Sequence, residues 1–429
     1  MNGGLSMVEM KSGYKLTEVG VIPEDWEVKE FNETFSVIPN NSLSRDYLNT
    51  QAGEYHDIHY GDVLIKYGAL LDAGNTEIPF INKAITDKWV NRRIVTEGDI
   101  IMADTAEDNT VGKCSEVINV NHKKIVSGLH TFWLHPNEGL FEKGFLGYFM
   151  NHSLYHNQLL PLIHGTKVSS VSKNEILGTR VLVPLKNEQT AIATALSDVD
   201  SLISALTKKI EKKKAIKQGL MQQLLTGKKR LPGFGGVWDV VQLKRIISEF
   251  IVPMRDKPTA LTGPIPWCRI EDFDGKYLKK SLSNQGVDLN TVSKMNLKIF
   301  PVNTLLVSCS ANLGRCAIVK QKLVTNQTFI GLVPSDRIDV EFLYYKMSRE
   351  DKNLNNMATG TTISYLSREQ FENYEILIPS SKAEQTAIAN ILSDCDSEVA
   401  ALEEKRDKYK EIKQGMMQQL LTGKIRLIK

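Results

Sequence analysis

The chain has 429 residues, 42% hydrophobic and 24% charged, with 53 Lys and Arg against 50 Asp and Glu for a formal net charge of +3. That length exceeds one ordinary hydrophobic core, the composition excludes disorder as the default, and the near-balance of charge excludes a binder that holds nucleic acid by a uniformly basic surface. Five scattered cysteines with no C-x-x-C pair argue against a disulfide framework or a zinc site, and the lack of an apolar run or leader points to a cytoplasmic protein that does not enter a membrane.

The first predicted element is a front strand at Pro23-Glu24-Asp25-Trp26-Glu27-Val28. A variable region follows from Asn32 to His164, and all eight histidines of the chain fall within it, between His56 and His164. Tyr55-His56-Asp57-Ile58-His59-Tyr60 alternates as a strand does, which sends His56 and His59 to opposite faces and argues against a metal-binding pair. Gly98-Asp99-Ile100-Ile101-Met102 reads as a buried strand. A polar loop and a glycine turn, Val111-Gly112-Lys113-Cys114, then lead into another strand. Gly165 to Pro184, GTKVSSVSKNEILGTRVLVP, reads as loop, short helix and edge strand ending at proline. Residues 1–186 carry a net charge of −6.

Glu188 to Leu231 reads EQTAIATALSDVDSLISALTKKIEKKKAIKQGLMQQLLTGKKRL. Ile192, Leu196, Val199, Ile203, Leu206, Ile210, Leu220 and Leu224 follow a 4-3 spacing interrupted by Lys213 and Lys217. That is a coiled-coil seam, and it predicts a helix of about 40 residues, roughly 60 Å long. Beyond the linker Gly233-Phe234-Gly235-Gly236 the order begins again. Gly235-Gly236-Val237-Trp238-Asp239-Val240 answers the front strand, Asn303-Thr304-Leu305-Leu306-Val307 the buried strand, and Leu313-Gly314-Arg315-Cys316 the glycine turn. Gly360 to Pro379, GTTISYLSREQFENYEILIP, answers the strand-proline lead-in.

A second helical block, Glu384 to Leu427, reads EQTAIANILSDCDSEVAALEEKRDKYKEIKQGMMQQLLTGKIRL; at an offset of 196 about 30 of 45 positions match the first. Its stripe of Ile388, Leu392, Cys395, Val399, Leu402, Tyr409, Met416 and Leu420 is interrupted by Arg406 and Lys413. Two helices so alike are expected to bury their stripes against each other as an antiparallel pair; the alternative is that each packs only on its own domain. What should follow the second helix stands at the other terminus, in Ile22-Pro23-Glu24-Asp25-Trp26, so the repeat closes as a ring and predicts that the chain ends meet.

The E-Q-x-x-I-A openings at Glu188 and Glu384, the L-S-D-x-D turns, the K-Q-G-x-M-Q-Q-L-L-T-G-K ends, the strand-proline lead-ins and the tryptophan starts resemble the specificity subunit of a bacterial type I restriction-modification system. The resemblance covers essentially the whole chain past residue 13. It implies an α/β (α+β) fold: two mixed α/β target recognition domains separated by two long antiparallel coiled-coil helices, pseudo-two-fold and circularly arranged. The divisions are then residues 1–185, a first recognition domain with its front segment; 186–227, a first spacer helix; 228–381, a second recognition domain; and 382–429, a second spacer helix. The implied activity is reading a bipartite site in double-stranded DNA, one half per domain. The implied partners are two modification (methyltransferase) subunits carrying S-adenosylmethionine and two restriction subunits using ATP and Mg.

Base readout needs hydroxyl, amide and guanidinium groups on loops that reach a groove. The loops after the buried strands offer Asp104, Thr105, Asn109, Thr110 and Lys113 in the first half and Ser308, Ser310, Asn312 and Arg315 in the second. The glycine loops offer Thr166, Lys167, Ser169 and Ser170, and Thr361, Thr362, Ser364 and Tyr365. Shared turn chemistry would explain the same matches. Arg92-Arg93, Lys123-Lys124 and Lys279-Lys280 could hold phosphates, or could simply be solvated surface. Lys212, Lys214, Gln218, Gln222 and Gln223, on the unstriped helix face, are candidates for docking partner subunits.

Catalysis by this chain itself is argued against. There is no Pro-Pro pair of the kind an adenine methyltransferase places at the amine, and no G-x-x-x-x-G-K-[ST] phosphate loop. Glu27-Val28-Lys29 ends like a nuclease site, but Glu24 and Asp25 lie too close to it to occupy a separate strand. The alternative function is a structural adaptor that joins protein partners through its helical pair, a reading the acidic first half favours.

Overall fold

The structure is a computed structural model describing residues 12–86, 93–165, 167–255, 257–310, 312–358 and 365–428. It divides into two compact units: one takes the chain up to Leu206 together with Lys405–Lys429, the other Thr207–Glu404. No helix among the described residues is long and apolar enough to cross a membrane.

In the first unit β1 (Phe35–Ile38), β2 (Leu70–Asp72), β3 (Ile100–Ala103), β4 (Cys114–Ile118) and β5 (Thr131–Pro136) form a sheet in the order β1-β5-β3-β4-β2. All neighbours are antiparallel except β4 and β2. The central β3 is buried along its whole length. Its alternation sends Ile100 and Met102 into a core with Phe145 and Phe149, and Ile101 and Ala103 into another with Val63 and Trp133. A continuous apolar run here means a strand covered on both faces.

The second unit repeats this arrangement with other side chains. β6 (Ile247–Ile251), β7 (Tyr277–Leu278), β8 (Leu305–Ser308), β9 (Cys316–Val319) and β10 (Phe329–Pro334) run in the order β6-β10-β8-β9-β7, again with only the last pair parallel. Leu305 and Val307 face one core and Leu306 the other. Gly112 and Gly314 turn the loops back toward β4 and β9 with φ of 85° and 84°. A Cβ at Gly112 would come within 2.2 Å of the Leu159 side chain, so both the backbone conformation and the space call for glycine.

The predicted long helices are α1 (Lys186–Leu224) and α2 (Lys382–Leu420), 39 residues each. Within the first unit the start of α1 runs antiparallel to the end of α2, so that Glu188 meets Arg426 and Asp200 meets Lys413. Within the second, Lys213 meets Glu398, Lys217 meets Asp396 and Arg230 meets Glu384. The lysines that interrupt the first apolar stripe are thus its cross-helix ion pairs. The chain ends meet inside the first unit, where the Tyr14 hydroxyl donates to the Gly423 carbonyl at 2.8 Å. The front strands are shorter than the sequence suggested. Glu27–Glu30 pairs with Arg180–Val183, and Trp238–Gln242 with Glu375–Pro379.

Candidate nucleic-acid interface

Loop residues distant in sequence come together in each unit, and at matching positions. In the first, Thr105 pairs with Ser170 and Ala106 with Ser169, while the Val171 amide donates to the Asp104 carbonyl at 3.0 Å. In the second, Ser310 bridges Tyr365 and the Leu366 amide donates to the Cys309 carbonyl at 2.9 Å. The loop after the buried strand and the glycine loop therefore form one polar ledge in both units. Asn109, Thr110, Lys167, Ser170, Asn312 and Tyr365 are exposed on these ledges, with Asp104, Thr105, Ser169 and Ser310 partly so. Asp108 holds the Thr110 amide and hydroxyl, and those bonds keep its carboxyl below the usual range.

Three candidates serve other purposes in this structure. Lys113 donates to the Leu64 carbonyl at 2.5 Å, and burial lowers its pKa. Arg315, its counterpart, donates to the Phe273 carbonyl at 2.7 Å and covers the Phe273 ring. Ser308 is 1% exposed and donates to the Ser310 carbonyl, so its hydroxyl shapes the loop from beneath. Thr166, Thr361, Thr362, Ser364 and Arg92 lie outside the described residues. Of the basic pairs, Lys123 donates to the Ala73 carbonyl and Lys124 pairs with Glu54, while Lys279 and Lys280 are exposed. The strand holding His56 ends at Ile58; His59 instead caps the helix Tyr60–Ile65, accepting from the Gly61 amide. Among the described residues no cluster of metal-ligating side chains occurs.

Lys212, Lys214, Gln218, Gln222 and Gln223 are all exposed on the second unit's part of α1. Lys214 also reaches Glu403 at 2.6 Å.

Sequence reasoning missed what the repeated motif residues do. Gln189 and Gln385 are fully buried clamps. Gln189 donates to the Pro184 and Leu140 carbonyls and accepts from the Glu142 amide; Gln385 does the same with Pro379, Arg337 and Asp339. The last aspartate of each L-S-D-x-D turn accepts from a tyrosine of the globular part, Tyr148 to Asp200 at 2.8 Å and Tyr345 to Asp396 at 2.6 Å. A lysine of the opposing helix joins each pair. The repeat therefore encodes joints between helix and globular domain. The shared strand-proline lead-ins were the available signal, because the clamped carbonyls include those prolines.

Two similar mixed α/β units, each with a polar ledge built from the same two loops, define a modular binding protein with two related surfaces. A profile of the type I restriction modification DNA specificity domain matches residues 23–218 and again 238–414, and the chain belongs to that family. It is 24% identical to two proteins of Methanocaldococcus jannaschii: a proposed MjaX specificity subunit of a type I restriction enzyme, over 97% of each chain, and the type I restriction enzyme MjaVIII specificity subunit, over 95% of this chain and 94% of that one. In structure it is similar to the S subunit of a type I restriction-modification system from M. genitalium, with a TM-score of 0.58 over 92% of this chain and 96% of that one, at 15% identity. The two sequence relatives are archaeal, so they support the family without supporting the bacterial source that the motifs suggested.

Proposed function

We propose that this chain is the sequence-reading subunit of a type I restriction-modification complex, each unit contacting one half of a bipartite site in double-stranded DNA. The observation that carries this reading is the equivalence of the two ledges. Thr105–Ser170 and Ser310–Tyr365 are the same bridge at matched positions, while the side chains around them differ, as two readers of unlike sequences require. The recognition domains are residues 1–185 and 228–381. The helical segments 186–227 and 382–429 set the number of unread base pairs and dock two modification subunits, with Lys212, Lys214, Gln218, Gln222 and Gln223 in the docking face. The chain contributes no chemistry of its own; S-adenosylmethionine, ATP and Mg act in the modification and restriction subunits, in a cytoplasmic complex.

The test is an electrophoretic shift with the full chain, alone and co-purified with its modification subunits, against a randomised duplex library. A bipartite consensus recovered from the bound fraction supports the reading. Recovery of protein partners with no DNA consensus in either condition would favour the adaptor function instead.

A further inference from the structure

The first unit's ledge poses an electrostatic problem. Asp104, Glu107 and Asp108 lie along it, Glu107 and Asp108 exposed, against one exposed lysine, Lys167, because the matched Lys113 is occupied by a backbone carbonyl. A surface of this sign repels phosphate unless cations are supplied. Three histidines are bonded to it from three separate elements. His130, held at φ 55° just before β5, places Nδ1 3.2 Å from Asp104 Oδ1. His156, on the helix Ser153–Leu159, donates from Nε2 to the Asn109 carbonyl at 3.0 Å. His164, whose backbone pairs with Ser170, places Nε2 2.5 Å from Glu175 Oε1. His130 and His164 side chains are 48% and 73% exposed, so both rings are open to a ligand.

The second unit lacks this device. It has no histidine at all, and at the positions matching Asp104 and Glu175 it carries Cys309 and Gln370. Resting on the DNA-reading function proposed above, we infer that His130, His156 and His164 join Lys167 as cationic DNA contacts of the first unit, each charging as the duplex arrives. Phosphate oxygens accept hydrogen bonds from imidazolium N–H groups and favour that form. Around His130 the other facing groups are His59, which caps the helix Tyr60–Ile65, and the Tyr60 ring, edge-on at 5.4 Å. Arg45 and Asp62, which face His59, pair with each other.

The test is fluorescence anisotropy of the full-length protein on a duplex bearing both half-sites, at constant ionic strength from pH 6.0 to 8.5, with folding followed by circular dichroism at each pH. Proton uptake on binding makes affinity fall with pH, up to about tenfold per unit for each proton taken up. The expected result is a fall of at least about tenfold across the range. It should be lost in the triple variant H130Q/H156Q/H164Q and on a duplex with the first half-site scrambled, and retained when only the second half-site is scrambled. A pH dependence that survives in the triple variant, or that follows the second half-site, overturns the inference. Sequence-specific binding that fails at every pH defeats the DNA-reading function instead.

Discussion

Arg426 forms a two-pronged ion pair with Glu188, Nε to Oε1 at 2.5 Å and Nη2 to Oε2 at 2.7 Å, although 238 positions separate them. Glu188 is fully buried and also accepts from the Trp26 indole at 2.8 Å. Arg426 extends a further pair of bonds to Asp25 and is held charged by both carboxylates. Front segment, first helix and last turn of the chain thus share one charge network. Arg230 and Glu384 repeat its core in the second unit, at 2.6 and 2.7 Å.

Removing the arginine leaves a buried carboxylate without its partner. R426A should destabilise the first unit by about 3–5 kcal/mol, and R230A the second by a similar amount, while E188Q combined with R426A should recover part of the loss. Urea unfolding followed by tryptophan fluorescence and by proteolysis of each unit checks this. Equal destabilisation of both units by R426A would contradict the assignment.

The glutamine clamps are a second test of the joints. Q189A and Q385A each strip three hydrogen bonds from buried backbone groups, with an expected cost of about 2–3 kcal/mol. Differential scanning calorimetry should show the loss. Gln218 and Gln222, exposed on α1, should give less than about 0.5 kcal/mol as alanine variants.

Stability should depend on pH through Asp57. Its side chain is buried and bonded by Asn41, while Oδ1 has no partner among the described residues; burial pushes its pKa up to about 7. A carboxyl whose pKa rises on folding binds its proton more tightly in the native state. Its contribution is complete below the unfolded value near 4 and is lost as pH rises through about 7. D57N should therefore flatten the decline in Tm between pH 5 and pH 8 and stabilise the protein at pH 8 by on the order of 2–4 kcal/mol. Unchanged pH dependence in D57N would show that the aspartate does not carry it.

The ledges should act independently. N109A with T105A should weaken reading of one half-site by about 10- to 100-fold, and N312A with Y365A the other. Methylation mapping with each variant reads the two halves separately. Loss of both halves from either pair would count against two separate readers.

The helices and the meeting of the chain ends were legible because the repeat printed the same motif twice and its gap pointed from one terminus to the other. The buried strands β3 and β8 were legible from short apolar runs bounded by turns. The common sheet order was not, because strands buried on both faces carry no alternation that tells which neighbour they pair with. On the ledges, sequence located the loops but could not tell a free cation from an engaged one. Lys113 and Arg315 end on the carbonyls of Leu64 and Phe273, residues more than forty positions away. The histidines were visible as a lopsided count, and only the fold brought His130, His156 and His164 to one surface.

The central claim is that the repeated helices set spacing while the unlike domains set sequence. Inserting four residues into the exposed middle of α1 adds about 6 Å of helix, close to two base pairs at about 3.4 Å each. Long-read mapping of methylated adenines, in cells expressing this chain with its modification subunits, should then show both half-sites unchanged and the unread spacer longer by about two base pairs. An altered half-site, or an unaltered spacer with methylation intact, would contradict the account.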